Sequence, residues 1–370
     1  MKEVFINALG AFLPSNPVKN TDIENYIGKI NNQRSRNKAI ILKRNKIKNR
    51  YYALDKNGNP QYSSAEMAAN AVKHALQKSE INMKDISYLA ASSTLGDVLV
   101  PGHASNIHGA LKLAPIEIAN FQSVCASSIM ALKSAWLQVG SSEHNCAAVT
   151  GSEFASRYFR PGFYEPYLTE TKQQTLPFEA DFLRFTLSDG AGAALLENKP
   201  NERQLSLKIK WIDIRSYADR FDACMSAGEA NGKPWGNFNN PIEATQSGAL
   251  FLKQDFKILN NMIKIWVAHY LDLIDQRKIE IDKIDHLCSH YSSHSLREEA
   301  ITLLDKAGAL IDEQKWFTNL YEKGNTGTAS IFIMLEELFY SGKLERGQNI
   351  LCHVPESGRC VNGLMMLEVI

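Results

Sequence analysis

No stretch of this 370-residue chain approaches the roughly 18 uninterrupted apolar residues of a membrane-crossing helix, so no transmembrane span is expected. The opening Met-Lys-Glu-Val-Phe-Ile-Asn-Ala also lacks the apolar core of a signal peptide. An excess of one charge is missing too. Against 40 Asp and Glu stand 41 Lys and Arg, a net +1 that argues against a dedicated nucleic-acid binder. Cysteine is sparse: Cys125, Cys146, Cys224, Cys288, Cys352 and Cys360 are scattered, with no CxxC pair. That spacing excludes a disulfide framework and a structural zinc site, and the expectation is a cytoplasmic protein with reduced thiols. The length allows one large domain or two fused ones.

What the sequence does have is alternation. Short apolar runs take turns with amphipathic helices, the pattern of a layered α/β fold. Strands are predicted at Val4 to Leu13, Ile86 to Ser92, Ile116 to Ser123, Asn145 to Ser152 and Asp189 to Leu196. Thr21 with Glu24, and Ser63 with Glu66, read as capping boxes, and the second opens a helix to about Lys78. Near Asn198 the pattern restarts. Strands follow at Leu205 to Ser216, Ile284 to Ser289, Asn349 to Val354 and Gly363 to Val369, and one long helix is predicted from about Ala244 to Gln276. Two similar halves, 1–198 and 199–370, are expected, although no residue-level repeat is visible.

Three polar residues sit at element junctions. Cys125 follows an apolar strand and precedes Ala-Ser-Ser-Ile-Met-Ala-Leu, a helix start whose backbone N–H groups and dipole favour a thiolate. Taken alone it reads as a buried structural thiol. His290, in Leu287-Cys-Ser-His-Tyr-Ser-Ser-His294, lies at the carboxyl end of a predicted strand, where open sheets place sites; His294 is the competing candidate. Asn325, in Gly-Asn-Thr-Gly-Thr-Ala-Ser, reads alone as a loop ahead of a helix, and Gly358, in Pro-Glu-Ser-Gly-Arg, as a turn.

Together these segments resemble one family over nearly the whole chain. Phe121-Gln-Ser-Val-Cys-Ala-Ser-Ser, Leu187-Ser-Asp-Gly-Ala-Gly-Ala-Ala, Ser289-His-Tyr-Ser-Ser and Gly324-Asn-Thr-Gly-Thr-Ala-Ser follow the order of the β-ketoacyl-acyl-carrier-protein synthase III ketosynthases. The resemblance implies a thiolase-like α/β fold, two related halves in five αβαβα layers, in a homodimer. It implies that Cys125 carries an acyl group, that Cys125 and Gly358 supply an oxyanion hole, and that His290 and Asn325 stabilise an enolate. It implies no cofactor beyond the substrates, which are thioesters of an acyl-carrier protein or coenzyme A.

The segments also depart from the family pattern. Ser289, Tyr291 and Ser293 replace the usual proline, glutamine and asparagine around the histidine, and the C-terminal glycine-rich loop is reduced. These changes resemble the specialised ketosynthases that join two acyl chains into cyclohexanediones, resorcinols or stilbene precursors. There a base replaces decarboxylation, and Glu153, after Val149-Thr-Gly-Ser, is the candidate. The alternatives are a fatty-acid initiation enzyme using a malonyl thioester and, from another class, a non-catalytic partner subunit. A thiolase would need a second catalytic cysteine near the C-terminus, where Cys360 lacks a Cys-x-Gly context, and a hydroxymethylglutaryl-CoA synthase is a further alternative from the same fold. The aromatic stretch 154–185 reads as a tunnel lining, a dimer contact or plain packing. The eight Lys or Arg of 34–50 read as a solvated face or a dock for an acidic carrier protein.

Overall fold

The computed structural model describes residues 1–370. Ten strands form one hydrogen-bonded sheet. In the first half these are β1 (Phe5–Phe12), β2 (Tyr88–Ser93), β3 (Glu117–Gln122), β4 (Cys146–Glu153) and β5 (Gly190–Glu197). In the second they are β6 (Leu207–Ser216), β7 (His286–Ser289), β8 (Trp316–Phe317), β9 (Asn349–Glu356) and β10 (Val361–Val369). The order across the sheet is β8-β7-β9-β10-β6-β1-β5-β4-β2-β3. Counted outward from the centre, each half runs first, fifth, fourth, second, third. Pairing repeats as well: the second strand of each half is parallel to its third and fourth, and the remaining pairs are antiparallel. The halves meet where Phe5 pairs with Lys208 and Ile6 with Leu207.

Six helices complete the plan: α1 (Ser64–Gln77), α2 (His103–Leu111), α3 (Ser127–Gly140), α4 (Phe256–Asp275), α5 (His294–Lys306) and α6 (Ser330–Phe339). Helices α1 and α2 cover the outer face of the first half-sheet. On the second, Tyr270 and Leu273 of α4 and Leu304 of α5 pack with Leu287, Leu351 and Leu364. Helices α3 and α6 lie between the halves, each touching strands of both. Their sequences explain the placement. Ser-Ile-Phe-Ile-Met-Leu-Glu-Glu-Leu-Phe is apolar nearly all round, and such a helix must be covered on every side. Burial of Ile331, Phe332, Met334, Leu335 and Leu338 contributes about 1.5–3 kcal/mol per side chain. The strands facing this layer use small residues, as in Gly-Ala-Gly-Ala-Ala of β5, all buried. A Cβ on Gly192 would collide with that of Phe332, so glycine sets how closely α6 approaches.

Four sequence expectations need correction. The helix expected from Ala244 to Gln276 is broken: Pro241–Gln246 ends before Gly248 at φ 79°, and Asp255 caps α4 by accepting from the N–H groups of Lys257 and Ile258. Thr21 and Glu24 form no capping box, because the helix begins at Ile23 and Glu24 pairs with Lys38 at 2.8 Å. Helix α3 starts at Ser127 rather than at Cys125. The two-residue strand β8 gave no periodic signal, and without it the second half lacks its third strand. The box at Ser63 and Glu66 is present as expected.

Candidate active site

Strands β2, β3 and β4 run parallel, as do β7, β8 and β9, so each set ends on one side of its half-sheet, and the candidate residues follow those ends. Cys125 lies in the tight turn between β3 and α3. It is 6% exposed, and Ser128 Oγ donates to its carbonyl at 2.9 Å. Glu356, the last residue of β9, clasps this turn: its carboxylate accepts from Ser123 Oγ at 2.6 Å and from the Ala126 N–H at 3.1 Å. Burial holds the Cys125 thiol well above its ordinary value, and the carboxylates of Glu356 and Glu153 push the same way. The thiolate expected from the helix end is therefore not the resting form. Desolvation and two nearby negative charges outweigh the dipole.

His290 follows β7 directly. Its N–H donates to the His353 carbonyl at 2.8 Å, which continues the β7–β9 ladder. Burial, with a smaller contribution from His353, pulls its imidazole down to about 4, so the ring is neutral at physiological pH and carries one N–H to donate. Asn325 occupies the corresponding junction to Cys125 in the second half, ahead of α6. Its Oδ1 accepts from the Gly327 N–H at 2.9 Å, which leaves Nδ2 as a free double donor. Its backbone is pinned by the segment before β5, with the Ser188 N–H donating to its carbonyl at 2.8 Å.

Glu153 ends β4 and is 6% exposed. One oxygen, Oε1, accepts from Thr94 Oγ1 at 2.6 Å and from the N–H groups of Thr94 and Thr328 at 3.2 Å. The other carries no bond within the chain. Burial pushes this carboxyl up to about 7 despite those donors. Gly358 sits in the β9–β10 turn, against Val124 of the Cys125 turn. No group of the chain accepts from the N–H of Gly358 or of Cys125.

Two cavities meet at Cys125. One, of about 900 Å³, runs between α4, α5 and the second half-sheet; fourteen of its twenty-one lining residues are hydrophobic, with His290, Ser289 and His353 among the polar ones. The other, of about 610 Å³, holds Glu153 and Asn325 with Thr94, Phe154, Tyr158 and Leu183. Cys125, Ser292 and Ser357 line both. A polar chain backs the first. Ser289 Oγ meets His353 Nδ1 at 3.2 Å, His353 Nε2 meets Asn362 Oδ1 at 2.8 Å, Asn362 Nδ2 meets His269 Nδ1 at 3.1 Å, and His269 Nε2 meets Asp213 at 3.0 Å. Those partners leave His353 Nδ1 unprotonated, so Ser289 donates toward it and keeps its lone pairs for the cavity.

Other candidates fall outside. His294 bonds Tyr321 Oη at 2.7 Å and Glu298 at 3.2 Å, and lines neither cavity. Cys360 is buried with Cys224, Met262 and Trp266 and lines neither cavity. Of the aromatic stretch, Phe154 and Tyr158 line the smaller cavity, while Phe159, Tyr164, Phe182 and Phe185 are core. The basic run is divided as well. Arg34, Arg36, Lys43 and Arg44 are exposed, but Arg50 is buried on Asn20 and the Phe185 carbonyl, and its guanidinium is lowered to about 10. Glu356 and His353 were not singled out from the sequence. No helix is long and apolar enough to cross a membrane, and no His, Cys, Asp or Glu cluster has the form of a metal site.

Residues 274–362 match the family described as 3-oxoacyl-[acyl-carrier-protein] synthase III, C terminal. The β-ketoacyl-[acyl-carrier-protein] synthase III of Clostridium perfringens is 23% identical over 353 residues, 95% of each chain. That of Clostridium kluyveri is 22% identical over 370 residues, 99% of each. Among solved structures, the tetronic acid condensing enzyme AbyA1 superimposes with a TM-score of 0.78 at 19% identity, covering 99% of both chains. The synthase III of Pseudomonas aeruginosa gives 0.74 at 18%, over 99% of this chain and 98% of that one. Xanthomonas campestris OleA, with bound lauric acid and lauroyl-CoA, gives 0.75 at 18%, over 99% of both. In fold the chain is thiolase-like, and in sequence it is synthase III-like.

Proposed function

We propose that this synthase III-like acyltransferase joins two acyl thioesters in a Claisen-type condensation, with the attacking thioester deprotonated rather than decarboxylated. The observation that carries the reading is the meeting of two cavities at one cysteine, with a buried carboxyl of pKa about 7 in one of them. Cys125 exchanges its thiol proton for the acyl group, and the donor thiol leaves protonated. Glu153, through its free oxygen, takes a proton from the carbon between the two carbonyls of a β-ketoacyl thioester. The enolate oxygen sits at the junction, within reach of donors from His290 on one side and Asn325 on the other. The enolate carbon attacks the acyl–Cys125 carbonyl, whose oxyanion receives the N–H groups of Cys125 and Gly358. The sulfur leaves and recovers the proton from Glu153. An α,β-unsaturated acyl group on Cys125 is the partner that allows ring closure.

Charge supports this against malonyl extension. Glu153 and Glu356 both bear on Cys125, and with both ionised, as Glu153 is above about pH 7, a malonyl carboxylate brought there meets two like charges in a buried site. The exposed Arg34, Arg36, Lys43 and Arg44 are the face we assign to an acidic carrier protein. We place a second copy of the chain at the open edge of β3, near the exposed Leu99 and Val100.

Product analysis by mass spectrometry tests the reading. Paired β-ketoacyl and α,β-unsaturated acyl thioesters should give a joined product. Replacing the β-ketoacyl donor by a malonyl thioester should reduce it about tenfold or more. Equal or faster malonyl extension would establish the fatty-acid initiation alternative instead. Glu153→Gln should load Cys125 normally yet condense about 10²–10⁴-fold more slowly. A base must be deprotonated to act, so the wild-type condensation rate should rise with pH through about 7, and the variant should lose that rise. Unimpaired condensation by Glu153→Gln rules out its role as base.

A further inference from the structure

One device occurs twice, once per half. Strand β4 ends on Glu153 and its counterpart β9 ends on Glu356, 6% and 1% exposed. Each carboxylate crosses to the other half. Glu153 accepts from the Thr328 N–H ahead of α6, at 3.2 Å; Glu356 accepts from the Ala126 N–H ahead of α3, at 3.1 Å. Each also takes a hydroxyl at 2.6 Å, from Thr94 and Ser123 respectively. Each is pressed against a glycine. A Cβ on Gly327 would lie 2.9 Å from Glu153 Oε1, and one on Gly358 would lie 2.8 Å from Glu356 Oε1.

We propose that Glu356 is the positioning residue of the nucleophile, the strut that fixes the Cys125 turn relative to the Gly358 turn and so sets the spacing of the oxyanion hole. The carboxylate binds the first turn through Ser123 and Ala126. Its own chain leads within two residues to the second turn, whose Gly358 lies between Glu356 Oε1 and Val124, 2.9 Å from the Val124 side chain at the Cβ position. The far side of that turn is held by the Cys224 N–H, which donates to the Gly358 carbonyl at 2.8 Å. A buried carboxylate is costly unless its bonds compensate, and here they all go to the segment that carries the sulfur. Small displacements of oxyanion donors cost large factors in rate, so the two turns need a common anchor. Glu153 does the same for the Asn325 turn while keeping one oxygen free. Glu356 uses one oxygen on Ser123 and the other on Ala126.

The proposal rests on Cys125 as nucleophile, and its test separates the two. In Glu356→Gln the side chain keeps one acceptor but presents an NH₂ where the second stood. Single-turnover acyl transfer to Cys125, followed by intact mass at saturating donor, should slow about 10²-fold, with half-saturation changed by less than about threefold. Alkylation of Cys125 by iodoacetamide should move the opposite way, its midpoint shifting to lower pH. Cys125 faces Glu356 from β9 and Glu153 from β4, with His290, His353 and Arg297 lining the same cavity, and the substitution removes one negative charge from that set. Ser123→Ala removes one leg without a charge change. It should slow acyl transfer about fivefold or more and leave the alkylation profile in place. Acyl transfer by folded Glu356→Gln within about threefold of wild type, or a parallel loss of acylation and alkylation, would overturn the proposal. If Glu356→Gln does not fold, undiminished acyl transfer by Ser123→Ala overturns it. An acyl adduct that persists in Cys125→Ala would instead remove the nucleophile assignment, whatever the Glu356 variants do.

Discussion

Cys125→Ala should take up no acyl group from any thioester donor and should lose condensation by at least about 10³-fold, because no other thiol reaches either cavity. The other five cysteines are buried elsewhere, and none lines the junction. The expected result has a stability control built in. Cys125 lines both cavities, so removing its sulfur only enlarges a space that is already there, and the melting temperature should stay within a few degrees. Intact-mass measurement after incubation with an acyl thioester reads the adduct directly. Wild type gaining the acyl mass and Cys125→Ala gaining nothing places the covalent step on this residue. Wild type that acquires no adduct from carrier-bound or coenzyme A donors would point to the inert-subunit alternative. The raised thiol pKa adds a condition: alkylation of the free enzyme should be slow near neutrality, and acyl transfer should exceed it by far more than in a free thiol. Acylation is then driven by a bound thioester that the oxyanion donors activate, rather than by a standing thiolate.

How far the sequence carried depends on what kind of signal each feature leaves. Nine of the ten sheet strands leave a legible pattern: strands buried on both faces run through small and apolar residues, as Ala147 to Val149 and Ala191 to Leu196 do, while Leu207 to Ser216 mixes apolar and charged residues. Trp316–Phe317 is too short for any periodicity and is recognisable only by its pairing with Leu287 and Cys288. That gap hid the repeat, since the two halves match in strand order and not in residues. With the repeat in hand, Glu356 becomes visible: it ends the fourth strand of its half, as Glu153 ends the fourth strand of the other. Read singly, it was one residue of a turn containing Gly358. The thiolate expectation failed for a related reason. A helix start is legible in the sequence, but the two carboxylates that oppose it come from 28 residues downstream and from the far end of the chain. His294 and His290 lie four residues apart and look alike as sequence. The end of β7 at Ser289 decides between them, leaving His290 at the cavity and putting His294 on α5 with Tyr321.

His290→Ala and Asn325→Ala should separate the two halves of the reaction. Both should still load Cys125, because neither residue shares a bond with its turn, and both should then stall as the acyl-enzyme. Each removes one donor from the position assigned to the enolate oxygen, a loss of about 10²–10³-fold in condensation, or about 3–4 kcal/mol of barrier. The geometry makes the two losses differ in kind. Asn325 is held by the Gly327 N–H on its Oδ1, so an Asp in its place would put a carboxylate where the donor Nδ2 stands and should be at least as damaging as Ala. His290 is neutral because burial has taken its pKa to about 4, so its N–H is available at every pH above that. His290 should therefore add no inflection of its own at the ordinary histidine value, and its charging should add a further fall only as the pH approaches 4, well below the step near 7 assigned to Glu153. The rise through about 7 that belongs to Glu153 should survive in His290→Ala, at a reduced ceiling. The double variant should lose less than the product of the single losses, since two donors on one oxygen act as a unit. If His290→Ala abolished the acyl adduct itself, the histidine would belong to the loading step, and the enolate would have Asn325 alone.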